Sequence, residues 1–391
     1  MGKNIFLTGS TGFVGQSLLA EWLKKPNINL WVLLRPRGQT SALERLQKLK
    51  SDLSKRENIP LTSMEDRIHV VEGDIERDRL GLPESSYNEL ARKINRITHS
   101  AASVHLDLSE SESYKMNVEG TKRILDLAEK AMEFGGLERF NYLSTAYVAG
   151  KRTGIIFENE LDQGQGFVNS YEKTKLQAEK EVHAHMSRFP VSIFRPSIIV
   201  GHTKTGWTLN FNVIYAPLKL TYMGKIPILP GSKHTRLDTV PIDYVTQAII
   251  HLDSLNEEVI GKTFHLVVGQ GRAISMRDFI DQCAEHLIYF IDHYGLKNPK
   301  RVPKMIHPKL FDLLIKSILI FSKEAKKRAY QRFQAFAPYL YFYKDFNSDQ
   351  ATTLLKPAGI EVPRLSDYLK ILCKYCVDNH FGMADGPRDV P

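Results

Sequence analysis

The stretch NIFLTGSTGFVGQSLLAEWL, Asn4 to Leu23, limits the fold more than any other part of the chain. A short apolar run ends on Gly9, Gly12 and Gly15, and a helical pattern starts at once, with Val14, Leu18, Leu19 and Trp22 on one face. Strand, tight turn and helix in that order aim backbone amides and a helix N-terminus at one point, where a phosphate is favoured. A glycine triad alone is weak; the segments after it give it weight. Five more strand-like runs succeed it, LWVLLR, IHVVEGD, RITHSAA, FNYLSTA and VSIFRPSIIVG, separated by helical patterns such as SALERLQKLKSDLSKR and NVEGTKRILDLAEKAM. This alternation predicts an α/β fold with a doubly wound parallel sheet. A chain of 391 residues leaves room for a second part.

Beyond Gly201 the alternation breaks. Pro217, Pro227, Pro230 and Gly231 mark loops expected to form a lid over a pocket, as insertions near residues 202–240. TVPIDYVTQAIIHL then reads as a strand end feeding a helix, and KTFHLVVG as one more strand. The expected division is a nucleotide-binding domain over 1–270 and a smaller, mainly helical, substrate- or membrane-facing region over 271–391. Within the latter, Leu310, Leu313, Leu314, Ser317, Ile318 and Phe321 share a helical stripe, followed by Lys323, Lys326, Lys327 and Arg328. That pattern suits a helix lying on a membrane surface, but so wide a stripe more often faces a core or a pocket wall. Cys373 and Cys376 have only His380 nearby as a further ligand, so they are expected to pack in a helix and not to hold a metal.

The formal charge of +9 raises the question of nucleic acid, yet zinc-finger spacing, an aromatic RNA-binding signature and a long basic tract are all missing from the sequence. An acidic small molecule, an acidic carrier protein or an anionic membrane surface fits the charge better. No apolar run is long enough for a spanning helix. The first residues lack a signal-peptide pattern and the 3 cysteines cannot build a disulfide framework, so a cytoplasmic location is expected, with peripheral membrane contact as an option.

About twenty residues past the last glycine, a dinucleotide-binding turn needs an acid for a ribose hydroxyl or an arginine for a 2′-phosphate. LLRPRG supplies Arg35 and Arg37 with no acid nearby in sequence, which selects NADP(H) over NAD, since a guanidinium can pair a phosphate through two parallel hydrogen bonds. The plainer alternative is two solvated loop arginines.

NSYEKTKLQAEKEV sets Tyr171 and Lys175 four apart, on one face of a helix. A free phenol, with a pKa near 10, exchanges its proton poorly at neutral pH, and a neighbouring cation is expected to lower it. Tyr171 would then serve as proton donor to a carbonyl oxygen that receives hydride, with a hydroxyl from LSTAYVAG holding that oxygen.

Taken together, these motifs resemble the extended short-chain dehydrogenase/reductase family, a Rossmann fold, over roughly residues 1–270. The resemblance implies a Ser/Thr, Tyr, Lys triad at Thr145, Tyr171 and Lys175, with Ser144 the neighbouring candidate; Thr145 is preferred by its distance from Gly150. It implies cofactor contacts at Gly9, Thr11, Gly12, Phe13, Val14 and Gly15. EGDI would place Asp74 and Ile75 at the adenine, HSAASV would line the cofactor with Ala101 and Ala102, and Asn117 is a further family position. Pro196, Ser197 and Ile198 would run beside the nicotinamide. Asp74 and Asn117 read equally well as a turn residue and a helix cap.

ITHSAASVHLDLS, NVEGTKRILDLA and VSIFRPSIIVGHTKTGW, with the added helix SALERLQKLKSDL, are similar to the thioester reductase and fatty acyl-CoA reductase branch. That branch implies NADPH-dependent reduction of a fatty acyl thioester, carried on CoA or an acyl-carrier protein, to an aldehyde, or to an alcohol if a second hydride follows. Fold alone does not settle substrate. The alternatives are a nucleotide-sugar epimerase or dehydratase, which would prefer an acid at Arg35, another ketone or aldehyde reductase, and a redox sensor without turnover, which would not need both Tyr171 and Lys175. Oligomeric state is not written in the sequence.

Overall fold

The computed structural model describes residues 2–104, 108–211, 213–223, 228–231, 235–255, 257–295, 302–319, 330, 334, 337–340 and 344–383. Seven strands make one parallel sheet: β1 (Lys3–Thr8), β2 (Ile28–Leu34), β3 (Ile68–Glu72), β4 (Arg96–His99), β5 (Arg139–Leu143), β6 (Val191–Pro196) and β7 (Lys262–Leu266). They lie in the order β3-β2-β1-β4-β5-β6-β7, every pair parallel. Winding reverses between β1 and β4, and the crevice outside the carboxyl ends at such a point is where ligands bind in this architecture.

The principal helices are α1 (Phe13–Leu23), α2 (Ala42–Glu57), α3 (Gly120–Glu133), α4 (Ser170–Ala184), α5 (Ile242–Ser254), α6 (Met276–His293) and α7 (Leu365–Asp378). Alternate strand residues face opposite ways. Ile5 and Leu7 therefore pack under Leu18 of α1, Leu46 of α2 and Ile249 of α5, while Phe6 faces the other layer with Ile124 of α3 and Val182 of α4. Burial on both faces explains why the strands read as unbroken apolar runs.

VSIFRPSIIVG is two strands rather than one. β6 stops at Pro196, and Ile198–Val200 turns away to pair with Thr239–Pro241. That second ladder roots another apolar cluster, in which Val200 and Tyr215 meet Phe279 and Cys283 of α6 and Leu372, Cys373 and Cys376 of α7. All three cysteines are buried there as small apolar side chains. Residues 344–362 then come back to the sheet: Lys344–Phe346 pairs with Gly154–Ile156, and Ala351, Leu355 and Val362 join the core beneath α1 and α5.

Two expectations need correcting. Pro217 does not mark a loop; it falls in the first turn of the helix Tyr215–Tyr222, where a missing N–H costs little, and Pro230 ends the strand Ile228–Pro230. Pro227 lies outside the described residues. Nor is the leucine stripe a core face: among the described side chains of the helix Pro308–Leu319 only Phe311 is buried, and Leu310, Leu313 and Leu314 are exposed. Phe321, Lys323, Lys326, Lys327 and Arg328, and the side chain of Ile318, lie outside the described residues. No helix among the described residues is long and apolar enough to cross a membrane.

Candidate functional site

A cavity of about 540 Å³ opens over the carboxyl ends of β1, β2, β4, β5 and β6. The glycine turn forms its floor. Gly9 has φ +72°, and a Cβ there would come 2.8 Å from the Ala101 amide nitrogen. A Cβ on Gly15 would overlap the Gly9 carbonyl, so Gly15 serves helix-to-strand packing and does not face the cavity, whereas Gly9, Thr11, Gly12, Phe13 and Val14 do. α1 begins after Gly12 with no side-chain cap and no acidic residue in its first turn, so its N-terminal amides and partial positive charge are left to a bound anion.

At the β2 end, Arg35 lines the cavity and Arg37 does not; Arg37 closes a surface turn with Thr40. The sequence window around Arg35 holds no acid, but the fold brings two. β2 and β3 end side by side, so Arg35 Nη1 meets Asp74 Oδ2 at 3.3 Å and Glu76 Oε1 at 3.2 Å. Asp74 also accepts the Glu76 amide at 3.0 Å, so its turn role and its place in the wall coexist. Arg45 is a cavity residue that sequence reasoning missed. Its Nη1 donates to the Arg35 carbonyl at 2.5 Å, and burial, then the charges of Arg37 and Arg35, hold its pKa below the ordinary arginine value. The signal was present in SALER: Ser41 and Glu44 form a reciprocal cap that fixes Arg45 in the first turn of α2, next to the LLRPRG turn.

Ala101 and Ala102 from the loop after β4, Ile75, and Pro196, Ser197 and Ile198 after β6 all reach the cavity. Asn117 does not, and it is no helix cap either. It is buried in a π-helical turn, Lys115–Glu119, where its Oδ1 accepts the Ser103 amide at 2.8 Å and its Nδ2 donates to Thr174 Oγ1 at 3.0 Å. It thereby ties the loop after β4 to α4.

Thr145, Tyr171 and Lys175 meet at the centre of the cavity. Asn169 caps α4, its Oδ1 accepting the Glu172 amide at 3.0 Å, so Tyr171 enters in the first turn and Lys175 one turn deeper. The Tyr171 phenol hydrogen-bonds Thr145; burial pushes its pKa up to about 12, the Thr145 bond pulls it down and the Glu172 charge adds to the rise. This differs from the expected lowering by Lys175. The lysine Nζ donates instead to Tyr142 Oη and to the Leu143 carbonyl, both at 2.8 Å, and burial, only partly opposed by Glu179, brings its own pKa down to about 7. Desolvation outweighs the i,i+4 charge effect.

Ser144 and Thr145, adjacent in sequence, have different partners. The Ser144 hydroxyl donates to Glu179, which is paired with Arg195 through Nε at 2.9 Å and Nη2 at 2.5 Å, all fully buried. Burial raises the Glu179 pKa, but Arg195, His183 and Ser144 together bring it to about 2. Thr145 is the hydroxyl left to face Tyr171.

The far end of the cavity is apolar and aromatic, with Ile198, Ile199, Val213, Ile214, Tyr147 and Tyr339 in its wall. The Tyr147 and Tyr339 rings meet edge to face at 4.9 Å, and Tyr339 Oη donates to Glu172 Oε1 at 2.8 Å, docking residues 337–340 on the helix of Tyr171. Among the described lining residues, Arg35, Arg45, Asp74 and Glu76 carry charge at the opposite end and Lys175 at the centre.

A family model for an NAD-binding family described as male sterility protein matches residues 7–249. A Drosophila melanogaster protein provisionally named as a fatty acyl-CoA reductase is 27% identical over 361 residues, covering 83% of this chain and 68% of that one. An aldehyde reductase of Aspergillus flavus is 30% identical over 284 residues, 67% of this chain, which spans only 25% of the fungal protein's length. Among solved structures, the terminal R domain of the myxalamid PKS-NRPS biosynthetic pathway aligns over 98% of this chain and 92% of its own, with TM-score 0.79 and 24% identity. The Bacillus cereus UDP-glucuronic acid 4-epimerase with NAD shares the fold at TM-score 0.64 and 18% identity, over 97% of this chain and 99% of that one. With its glycine turn, its Thr, Tyr and Lys around one cavity and the match of the family model over more than half of its length, the chain belongs to the male sterility protein family, on the fold of the extended short-chain dehydrogenase/reductases.

Proposed function

We propose that this chain is an NADPH-dependent reductase of acyl thioesters, the acyl group carried on CoA or on an acidic carrier domain. The observation that carries the reading is the polarity of the cavity: guanidinium groups at one end, an aliphatic and aromatic wall at the other, and Thr145, Tyr171 and Lys175 between them. A diphosphate-linked sugar would need cations at the substrate end, and the described residues there supply none, which favours an acyl chain over a nucleotide sugar.

The residues fit a dinucleotide. The glycine turn admits no Cβ where backbone must approach a pyrophosphate. Asp74 and Ile75 would flank the adenine, Arg35 and Arg45 would take the 2′-phosphate, and Ala101, Ala102 and Pro196 to Ile198 would line the rest. When bound, the reduced nicotinamide supplies hydride. The chain's own groups do the remainder: Thr145 and Tyr171 hold the carbonyl oxygen, and Tyr171 donates its proton there. A phenol at about 12 is protonated at neutral pH, the form a donor needs. Lys175 holds charge beside it. Hydride and the Tyr171 proton give a hemithioacetal, whose C–S bond then breaks to release the carrier thiol and an aldehyde; a second hydride and proton would take the aldehyde to an alcohol. We place the nucleotide-binding part at 1–270, joined by residues 344–362 that pack on its sheet, the substrate-facing part in the rest of 271–391, and the protein in the cytoplasm.

The test is NADPH oxidation with acyl-CoA, acyl-carrier and aldehyde substrates, wild type against Tyr171→Phe. The substitution should lower kcat by roughly 10²- to 10⁴-fold while NADPH binding, read by its fluorescence, is retained. Undiminished thioester reduction by the variant would remove Tyr171 from the mechanism.

A further inference from the structure

Behind Lys175 runs a line of buried polar groups that the reductase reading does not use. Lys175 Nζ donates to Tyr142 Oη at 2.8 Å and stands 4.3 Å above the centre of the same ring. Tyr142 bonds Thr121. The Thr121 hydroxyl approaches His99 Nε2 at 3.1 Å and donates to the Asn117 carbonyl at 2.6 Å. His99 Nδ1 lies 2.7 Å from Thr8 Oγ1, which also accepts the amides of Ser100 and Ala101 at 3.2 and 3.1 Å. Lys175, Tyr142, Thr121, His99 and Thr8 are all at most 3% exposed.

The protons in this line can be assigned by donor and acceptor capacity. Thr8 Oγ1 accepts two amides, so its own proton goes to His99 Nδ1. The imidazole is neutral, since burial and then the Lys175 charge bring its pKa down to about 3, so it carries its proton on Nε2 and gives it to Thr121. Thr121 spends its proton on the Asn117 carbonyl and accepts from Tyr142. The Tyr142 oxygen is left as an acceptor, and it accepts a hydrogen bond from Lys175. The line therefore ends at a carbonyl and conducts no proton; what it does is hold a phenol oxygen, lone pair outward, under a buried ammonium.

We propose that Tyr142 is a positioning residue for the catalytic amine, its hydroxyl oxygen oriented by Thr121 and His99 so that Lys175 stays charged and aimed at the cavity. This rests on the reductase reading for its kinetic consequence, but not for the coupling itself. The groups facing Lys175 are Glu179 and Tyr171 on its own helix, Tyr142 and the Leu143 carbonyl from β5, and His99 from β4, with Arg195 of β6 behind Glu179. Glu179 is the carboxylate among them, and Arg195 already holds it, so a neutral acceptor such as Tyr142 carries much of the burden of keeping a desolvated amine protonated.

Tyr142→Phe keeps the ring under the ammonium and removes the oxygen. Lys175 should then lose its proton more readily, so the alkaline limb of the kcat/KM profile should move down by about one pH unit, leaving activity roughly tenfold lower on that limb. Observation of ε-labelled lysine by NMR in the protein without substrate, with Lys175→Ala used to assign the signal, should show the Lys175 titration moving the same way. Thr121→Val, which takes away the hydroxyl that orients Tyr142 and leaves the phenol oxygen in place, should give a smaller shift in the same direction, and it stands in if Tyr142→Phe is poorly folded. An unmoved titration, or activity lost equally at all pH values, would overturn the proposal. If Lys175→Ala reduces thioesters normally, the reductase reading fails while the NMR titration still judges the coupling.

Discussion

Replacing Arg35 by Ser separates cofactor choice from everything else in the cavity. A charge-assisted hydrogen bond to phosphate is worth about 1.5–3 kcal/mol. Two features of the structure put Arg35 at the low end of that range: its side chain is 50% exposed, and it is already shared between Asp74 at 3.3 Å and Glu76 at 3.2 Å, which a phosphate must displace. About 1.5 kcal/mol corresponds to roughly a tenfold higher KM for NADPH. NADH lacks the 2′-phosphate, so its KM should stay the same or fall. Arg45→Ala should act in the same direction, and Glu76→Gln, which frees Arg35 from one carboxylate, should strengthen NADPH a few-fold. Initial rates with both cofactors at fixed substrate give the comparison. Equal loss of NADPH and NADH in Arg35→Ser would mean that the guanidinium supports the loop and reads no phosphate, and wild-type enzyme using the two cofactors equally would mean the same.

The two adjacent hydroxyls should part company. Thr145→Val is expected to lower kcat by roughly 10²-fold or more, while Ser144→Ala, which takes a donor from Glu179, should chiefly cost about 1–2 kcal/mol of stability in urea unfolding. Arg195→Met strands a buried carboxylate and should cost about 3–5 kcal/mol at pH 7. The sign of the acid response should also reverse. In the wild type Glu179 is held at about 2 against an ordinary 4.5, so its contribution is complete above 4.5 and is lost as pH falls through about 2. In the variant burial dominates, the pKa rises above the ordinary value, and unfolding free energy should increase on acidification from pH 7 to 5; a parallel pH profile in both proteins would refute this.

The sheet was legible because each strand announces itself locally: an apolar run bounded by turn residues, followed by a helix of matching period. The six runs of the first half, and KTFHLVVG, each gave a strand of the sheet, VSIFRPSIIVG only as far as Pro196, and the glycine turn, Thr145, Tyr171 and Lys175 converge as their positions at strand ends and a helix start require. What was missed came from contacts between segments far apart in sequence. Asp74 and Glu76 reach Arg35 only because β2 and β3 are neighbours in space, and Tyr339 reaches Glu172 across 167 positions. The lysine effect on Tyr171 failed for another reason: spacing places charges but says nothing of how much water is removed around them. Leu310, Leu313 and Leu314 show the converse, an apolar stripe that periodicity assigns to an interior and packing leaves outside.

The return of residues 344–362 to the sheet bears on how the protein acquires its shape. Glu158 accepts the Gln350 and Ala351 amides, at 2.7 and 3.2 Å, across separations of 192 and 193 positions, whereas β1 and β2 pair with their immediate successors. Closing so long a loop costs more entropy than joining adjacent βα units. The nucleotide half can thus condense early from short-range pairings, while the stretch behind Ala146 and Ile156, where Phe346 inserts, is sealed last. A ribosome would have released most of these residues before Phe346 reached its place against the Tyr147 ring.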